Sequence, residues 1–278
     1  MLRILSLGAG VQSSAVFLMA CRGYWDHPLD AAIFSDTGWE PASVYQWLDD
    51  VLQPEADRAG IPIYRVKKGN IRDDALVSGM TGKRGGNQRW VSIPYFTKNP
   101  ETGKRGMIRR QCTTEYKIQP VHKKIREMLG LEFRQKAKPG IQVQLWFGIS
   151  GDEAQRMRDS RFHFVENYYP LIDHEPAMNR KDCSSWILSQ GWEMPPRSAC
   201  IGCPYKSNRE WKEMQQDTPE EFRDAVQFDS DIRKTGGKMG DVFIHSSLKP
   251  LGEIDFRSDL EKGQVSLFGE ECEGMCGV

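Results

Sequence analysis

The sequence predicts an α/β protein built on a doubly wound parallel sheet, because short apolar segments alternate with amphipathic ones through its first half. Residues 4–6, 31–34 and 62–66 predict strands, a helix follows the first of these strands, and residues 41–59 predict a second helix. A further apolar run at 143–148 predicts another strand of the same sheet. In such a sheet, a ligand is expected at the carboxyl ends of the strands.

A change in pattern near residue 175 predicts a second, smaller region. We expect an α/β domain over residues 1–175 and a mainly helical or irregular, cysteine-bearing C-terminal region over residues 176–278. The predicted apolar core of that region comprises Trp186, Trp192, Trp211, Phe222, Val226 and Phe228.

Bulk composition gives no support to two classes of function. The chain has 38 Lys and Arg against 38 Asp and Glu, and its mean hydropathy is −0.57, so neither general polyanion affinity nor a membrane role follows from the totals. No segment has the length of a membrane span, and the first residues predict a strand rather than a leader, so we expect a cytoplasmic protein. Seven cysteines in that compartment favour metal or redox chemistry over disulfides.

Positive charge is concentrated between residues 79 and 110, where frequent Gly and Pro predict an excursion without regular structure. The basic residues, opposed only by Glu101, are Lys83, Arg84, Arg89, Lys98, Lys104, Arg105, Arg109 and Arg110. One interpretation is a clamp for substrate phosphates or a nucleic-acid strand along 83–110, with Trp90, Tyr95 and Phe96 for stacking. The other is a solvated loop.

The turn after the first strand predicts an anion site. Residues 6–14 read SLGAGVQSS, in which small side chains allow close approach to the backbone at a helix start. A Walker A loop is excluded because Val11-Gln12-Ser13 stands where Gly-Lys-Ser/Thr is required. A Rossmann loop is nearly satisfied by Gly8-x-Gly10-x-x-Ser13, with Asp36 closing the next strand. Any α/β protein could also begin with a strand, a glycine turn and a helix.

Taken with residues 34–45, FSDTGWEPASVY, this turn resembles the phosphoadenylylsulfate (PAPS) reductase family and the related PP-loop ATP pyrophosphatases. The resemblance implies an adenine nucleotide α-hydrolase-like fold and a nucleotide site. The nucleotide- and phosphate-binding residues that it implies are Ser6, Gly8, Gly10, Gln12, Ser13, Ser14, Ser35, Thr37 and Gly38. Asp36 becomes a catalytic candidate that contacts Mg²⁺ or ribose if ATP is the substrate, and a helix cap otherwise.

A second segment, GISGDEAQRMR at 148–158, resembles an anion-binding motif of the same family, although Ser150 stands where Arg is usual. Its arginines, Arg156 and Arg158, and the nearby Arg161 are candidates for clamping phosphate. As exposed helix charges, they would only increase solubility.

Four cysteines form a candidate metal set: Cys112, Cys183, Cys200 and Cys203. Two of them belong to a Cys-x-x-Cys-Pro knuckle, Cys200-Ile201-Gly202-Cys203-Pro204, in which two thiolates and nearby backbone amides can surround one metal or cluster. Lys117-Ile118-Gln119-Pro120 matches cluster-binding reductases that resemble this chain, but Thr113 replaces the second cysteine of their pair. Either Cys183 is the fourth ligand, or three cysteines hold a [4Fe-4S] cluster with one open iron. Structural zinc and no metal remain alternatives, and Cys21 is interpreted as a buried apolar residue.

The C terminus carries two further thiols. Glu271-Cys272 resembles the Glu-Cys-Gly tail of the reductases, which implies Cys272 as a nucleophile, with Cys276 as a resolving thiol. The alternatives are a frayed tail with idle thiols or a second metal pair.

These features favour a PAPS reductase-like iron-sulfur enzyme that activates a substrate with ATP for sulfur transfer, with a nucleic acid as a candidate acceptor. A cysteine desulfurase would then donate sulfur. One alternative is thiol-dependent reduction of PAPS or adenylylsulfate to sulfite, reset by a thioredoxin-like donor. The other is a non-catalytic nucleotide- or nucleic-acid-binding module with zinc. A homodimer is left open.

Overall fold

The computed structural model describes residues 1–81, 93–99, 101–235 and 241–257. The chain divides into two compact units, and each is discontinuous in sequence. The sheet unit comprises Met1–Lys68 and Thr114–Ala199, and the second unit comprises Gly69–Thr113 and Cys200–Val278. The sequence suggested one boundary near residue 175, whereas the chain passes from the sheet unit to the second unit and back before its final crossing.

The sheet unit contains a five-stranded parallel sheet, which confirms the predicted α/β class. Its strands are β1 (Leu2–Leu7), β2 (Ala31–Asp36), β3 (Ile63–Lys67), β6 (Val143–Phe147) and β7 (Val165–Tyr168). The spatial order is β3-β2-β1-β6-β7, so β1 is central. The chain turns one way from β1 to β2 and the other way to β6, and this switch point is where such sheets bind ligands.

Helices pack on this sheet. They are α1 (Val11–Cys21), α2 (Ala42–Trp47), α3 (Gln53–Ala59), α5 (Gln119–Met128), α6 (Pro170–Asp173) and α7 (Arg180–Ser189). A π-helical turn, Leu48–Leu52, joins α2 to α3, so the helix predicted over 41–59 is one continuous helical run with a local irregularity. A second π-helical turn, Thr113–Ile118, leads into α5, and a 3₁₀ turn, Gly151–Arg156, follows β6.

Side-chain alternation along the strands produces an apolar layer on each face of the sheet. Leu5 and Leu7 belong to a core that includes Phe17 of α1. Ile4 belongs to a separate core with Ile125 of α5. Because successive strand residues point to opposite faces, the two cores lie on opposite sides, as a doubly wound sheet requires.

The second unit contains α4 (Ile71–Thr81), β4 (Phe96–Lys98), β5 (Arg105–Met107), α8 (Asn208–Asp217), α9 (Pro219–Thr235) and β8 (Val242–Phe243). Its antiparallel sheet has the order β5-β4-β8. The prediction that residues 79–110 lack regular structure is therefore wrong for α4, β4 and β5. The signal was missed because β4 gains its second partner from β8, far along the chain.

Burial also corrects two predictions about aromatic residues. Tyr95 is buried and packs 6.2 Å from the ring of Phe228, so it has no free face for a nucleic-acid base. Trp186 and Trp192 pack against the core of the sheet unit rather than that of the second unit. They therefore belong with the sheet, although the sequence grouped them with Trp211.

A buried carboxylate stabilises the second unit. Asp229 of α9 is fully buried and accepts hydrogen bonds from the backbone N–H groups of Ile244 at 3.0 Å and Leu251 at 2.8 Å. It also pairs with Arg233 one turn along the helix. These contacts attach the residues after β8 to α9. Within the described ranges, no helix is both long and apolar enough to cross a membrane.

Candidate functional site

The turn between β1 and α1 forms a narrow cradle of small residues. Ala9 has a φ of 55°, a left-handed conformation that side chains rarely adopt, and Gly10 is the N-cap of α1 without a capping side chain. The first N–H groups of a helix have no partner within it, so this end of α1 presents donors to an anion. Ser13 holds the turn closed, because its Oγ accepts from Gly8 N–H and donates to the Gly10 carbonyl, each at 3.2 Å.

The start of α1 packs directly on the loop after β6. A Cβ added to Gly148 would lie 2.6 Å from both Cα and N of Ser13 and 2.8 Å from the carbonyl carbon of Gln12. These are backbone atoms, so only glycine allows this approach. Gly148 therefore fixes where the first turn of α1 sits above the sheet.

Gln12 links three elements at the carboxyl edge of the sheet. Its side chain is buried, and Nε2 donates to Ser150 Oγ at 3.4 Å and to Glu153 Oε2 at 3.2 Å. The guanidinium of Arg180, from the first turn of α7, donates to Gln12 Oε1 at 3.0 Å. The Gln12 amide thus has partners on both its nitrogen and its oxygen, and it holds the loop after β6 in place. It also holds the Arg180 guanidinium at the carboxyl edge of the sheet.

Asp152 completes this network. Burial alone would raise the pKa of Asp152, but hydrogen bonds from Ser150, from its own N–H and from Arg180 N–H outweigh it, and the Arg180 charge adds to them. The net effect lowers the pKa of this carboxyl, so it remains ionised at neutral pH. The cluster of Asp152, Glu153 and Arg180 is therefore an ordered charge network linked through Gln12 to the start of α1.

The residues after β2 are ordered around a second carboxylate. Asp36 Oδ1 accepts from Gly38 N–H at 2.6 Å and from Tyr45 Oη at 2.7 Å, and its Oδ2 lies 3.8 Å from Lys67 Nζ. Burial, followed by the Asp36 hydrogen bond, raises the pKa of Tyr45, so the phenol stays protonated and donates. Gly38 takes a φ of 77°, which suits a glycine in this tight turn.

Hydroxyls predicted to contact phosphate are engaged within the fold here. Ser35 Oγ donates to the Tyr116 carbonyl at 2.6 Å, and Thr37 Oγ1 donates to Glu40 at 3.0 Å. Glu40, which lies in the segment after β2, is buried, and its Oε1 is 3.6 Å from Lys117 Nζ. Lys117 therefore forms an ion pair with this segment. Ser35 and Thr37 therefore orient the Asp36 turn.

The remaining loop residues lie on β1 and α1. Ser6 is in β1, paired in register with Ile33 of β2 and Phe147 of β6. Ser14 is fully buried, and its Oγ accepts from the indole N–H of Trp47 at 3.0 Å. Ser14 therefore anchors α1 to α2, whereas the hydroxyl of Ser13 bonds within the turn itself.

The arginines of the 148–158 segment have local partners. Arg156 pairs with Glu153 at 2.7 Å and is exposed, whereas the guanidinium of Arg158 donates to the carbonyls of Gln155 and Met157. Of the two, Arg156 belongs to the network around Gln12 through its shared partner Glu153. Arg161 is exposed.

Three of the predicted metal ligands belong to the second unit. The Cys203 N–H donates to the Cys200 carbonyl at 3.0 Å, closing the knuckle turn. Burial raises the pKa of the Cys203 thiol, and its neighbour Cys112 raises it further. The N–H of Tyr205 and the charge on Lys206 act in the opposite direction.

No group of three or more His, Cys, Asp or Glu side chains is assembled for metal binding in the parts of the chain that the structure describes. The donor set itself suits a metal, since Cys112, Cys200 and Cys203 are half-buried thiols of one unit. Arg110, whose guanidinium lies 5.3 Å from the ring of Tyr205, adds positive charge beside them.

Cys183 is placed differently. It is fully buried in α7 within the apolar core of the sheet unit, and burial raises the pKa of its thiol to about 12. Cys21 is only half-buried and packs against the same core, and burial also raises the pKa of its thiol to about 12. A thiol of this kind resists ionisation and suits packing better than metal binding. This favours the three-cysteine alternative over a fourth ligand from Cys183.

Several predicted site residues lie outside the described residues. They are Lys83, Arg84, Arg89 and Trp90 of the basic segment, and the terminal thiols Cys272 and Cys276.

Arg180 is the site residue that sequence reasoning missed. It follows Asn179, whose side chain accepts from the N–H groups of Lys181 and Asp182 in a capping box. The sequence NRKD does predict a helix start, but nothing in it places that start beside Gln12, 168 residues earlier. The tertiary fold alone brings Arg180 to the loop.

Comparison of the sequence with protein-family models finds no match, and comparison with curated proteins finds none either.

Proposed function

We propose that the sheet unit binds the phosphates of an adenine nucleotide at the turn between β1 and α1. The observation that carries this proposal is the turn itself, in which Ala9 is left-handed, Gly10 leaves the helix start uncapped and Ser13 closes the loop. It lies at the carboxyl end of the central strand, at the switch point where doubly wound sheets bind nucleotides. Arg180 supplies a fixed positive charge through Gln12.

The chemistry we propose is ATP-dependent activation for sulfur transfer. An oxygen of the substrate would attack the α-phosphorus of ATP, pyrophosphate would leave, and a sulfur nucleophile would then displace AMP. The loop would bind the departing pyrophosphate and stabilise its charge. The Asp36 carboxylate, fixed by Gly38 and Tyr45, would hold the Mg²⁺ that accompanies ATP.

Sulfur handling is assigned to the cysteines of the second unit. Cys112, Cys200 and Cys203 would hold a [4Fe-4S] cluster with one open iron, which when bound supplies a site for sulfide. Ligation requires the thiolate form of Cys203; burial raises the pKa of this thiol, and the Tyr205 N–H and the charge on Lys206 partly offset that effect. Basic residues of the described part of 83–110, including Arg105 and Arg110, would attract an anionic acceptor.

The nucleotide proposal is tested by titrating ATP with Mg²⁺ into the full-length protein in a calorimeter. Arg180→Gln removes the charge-assisted hydrogen bond to Gln12 and should weaken ATP binding by roughly 10- to 150-fold, since such bonds are worth roughly 1.5–3 kcal/mol. Lys181→Gln is the matched control, because it removes an exposed charge from the same turn of α7. Equal affinity for both variants would contradict the proposal.

The reaction is tested by product analysis after anaerobic purification. Release of AMP and pyrophosphate from ATP supports sulfur transfer, whereas release of sulfite from PAPS or adenylylsulfate supports the reductase alternative. Iron and sulfide in equal amounts, lost together in Cys200→Ser and retained in Cys183→Ser, support the three-cysteine cluster. A protein that contains zinc without iron, and that releases neither AMP and pyrophosphate nor sulfite, would be a binding module instead.

A further inference from the structure

A second basic surface lies on the sheet unit, away from the segment that the sequence marked as basic. It is a cleft of about 440 Å³ between the end of β3 and the first turns of α5. Lys67 and Lys68 line one side and Lys123 and Lys124 the other, while Glu127 is the single acidic residue that lines it. We call this the lysine cleft. Its volume is within the range of about 300–1,000 Å³ that is usual for ligand sites.

The charges in the lysine cleft are only partly compensated. Lys68 Nζ lies 3.1 Å from Glu115, Lys124 Nζ lies 3.6 Å from Glu127, and the Lys67 pair with Asp36 is longer at 3.8 Å. Lys123 is exposed and has no ion-pair partner among the residues described. The Lys67 and Lys124 pairs are partly exposed and so contribute little to stability, whereas the carboxylate that pairs with Lys68 is buried. The cleft therefore keeps a positive excess available to a ligand.

The chemistry of the lysine cleft favours phosphate groups over bases. Its cations are all lysines, which act as point charges rather than as bidentate forks. Two nearby aromatic rings are covered by these cations, because Lys124 Nζ lies 4.4 Å from the ring centroid of Tyr64 and Lys68 Nζ lies 5.0 Å from that of Tyr116. Those faces are not open for base stacking. A ligand would thus be recognised through successive charges along its length.

We propose that the lysine cleft binds the phosphodiester backbone of a nucleic-acid strand, without sequence preference. Lysines on two facing elements of an open cleft match the basic grooves that follow a strand backbone. The inference deepens the proposed function by assigning a contact to its nucleic-acid acceptor, but strand binding at the cleft requires no turnover.

The test measures binding of a fluorescent single-stranded oligonucleotide to the full-length protein by anisotropy, over a range of NaCl concentrations. Lys123→Gln/Lys124→Gln removes two cleft charges, one exposed and one half-buried, from the first turns of α5. Each lost phosphate contact should reduce the slope of log K against log salt by about 0.7, which corresponds to roughly 25-fold weaker binding for two contacts at about 0.1 M salt. A slope lowered by about 1.4, for oligonucleotides of different sequence alike, supports the inference.

Lys136→Gln/Lys138→Gln is the matched control, because both residues are exposed in the same unit and outside the lysine cleft. If the control and the cleft variant have the same slope, the inference is wrong. It is also wrong if inorganic triphosphate displaces the strand at equal phosphate concentration, since the cleft would then be a site for small phosphates. ATP titration separates the two proposals: the cleft variant should bind ATP normally, and Arg180→Gln should retain the oligonucleotide.

Discussion

Gly148→Ala tests whether the turn between β1 and α1, which we propose binds phosphate, depends on close packing between α1 and the segment after β6. The added methyl would lie 2.6 Å from backbone atoms of Ser13 and 2.8 Å from one of Gln12, well inside van der Waals contact. A flexible side chain could move away, but these are atoms of the first helical turn. The helix start must therefore shift, and with it the N–H groups proposed to bind phosphate.

The expected magnitude combines two opposing effects. Overpacking of a tight site typically costs about 1–3 kcal/mol. Replacing glycine by alanine recovers about 0.4–1 kcal/mol by restricting the unfolded chain. The net loss in the free energy of unfolding should be about 1–2 kcal/mol, which lowers Tm by roughly 2–8 °C for a domain of 150–250 residues.

Thermal unfolding followed by circular dichroism measures this loss, with Gly151→Ala as the control. A Cβ at Gly151 would meet its nearest atom, the Cβ of Ala177, at 3.6 Å, an ordinary contact. The control should match the wild type or exceed it slightly, and only Gly148→Ala should also weaken ATP binding below Tm. A Gly148→Ala protein as stable as the control would refute the reasoning.

Three further predictions concern buried groups. Asp229→Ala removes the acceptor for two backbone N–H groups and should lower the free energy of unfolding by about 3–5 kcal/mol in urea titration, against roughly 0.5 for Asp217→Ala at the exposed end of α8. Cys21 and Cys183, with pKa values raised by burial to about 12, should escape iodoacetamide at about pH 8, and rapid labelling detected by mass spectrometry would contradict this. Burial lowers the pKa of His122 to about 4, below its ordinary 6.5. The unfolded chain therefore takes up this proton first, and stability should fall by about 2 kcal/mol from pH 6.5 to 4. His122→Phe should flatten that slope, and an unchanged slope would refute the assignment.

Much of the sheet unit was predictable because its signals are local. Apolar runs at 31–34 and 143–148 became β2 and β6, and the small-residue turn after β1 lies where the pattern placed it. Parallel strands buried on both faces are almost wholly apolar, so each strand can be predicted from a few consecutive residues. The second unit was harder to predict, since β4 pairs with β8, a two-residue strand more than 140 positions away.

In the candidate site, too, the positions set by neighbouring residues were predictable, and the contacts between distant segments were not. Gly8, Gly10 and Ser13 were predicted from their own spacing, and each lies at the turn that begins α1. By contrast, Ser35 and Thr37 were predicted to face a ligand, and the structure shows their hydroxyls engaged with Tyr116 and Glu40. A hydroxyl can bond to backbone, carboxylate or phosphate equally well, so residue type alone does not distinguish these partners.

By itself, the sequence determined the α/β class, the small-residue turn after the first strand and the thiol knuckle, because each depends on residues adjacent along the chain. Only the tertiary structure decided that Arg180 reaches Gln12, that Gly148 supports the first turn of α1, and that four lysines line one cleft. These depend on how distant segments pack, and neither periodicity nor spacing encodes packing across such separations. Only the tertiary structure likewise shows that Cys183 is buried among apolar side chains in the core.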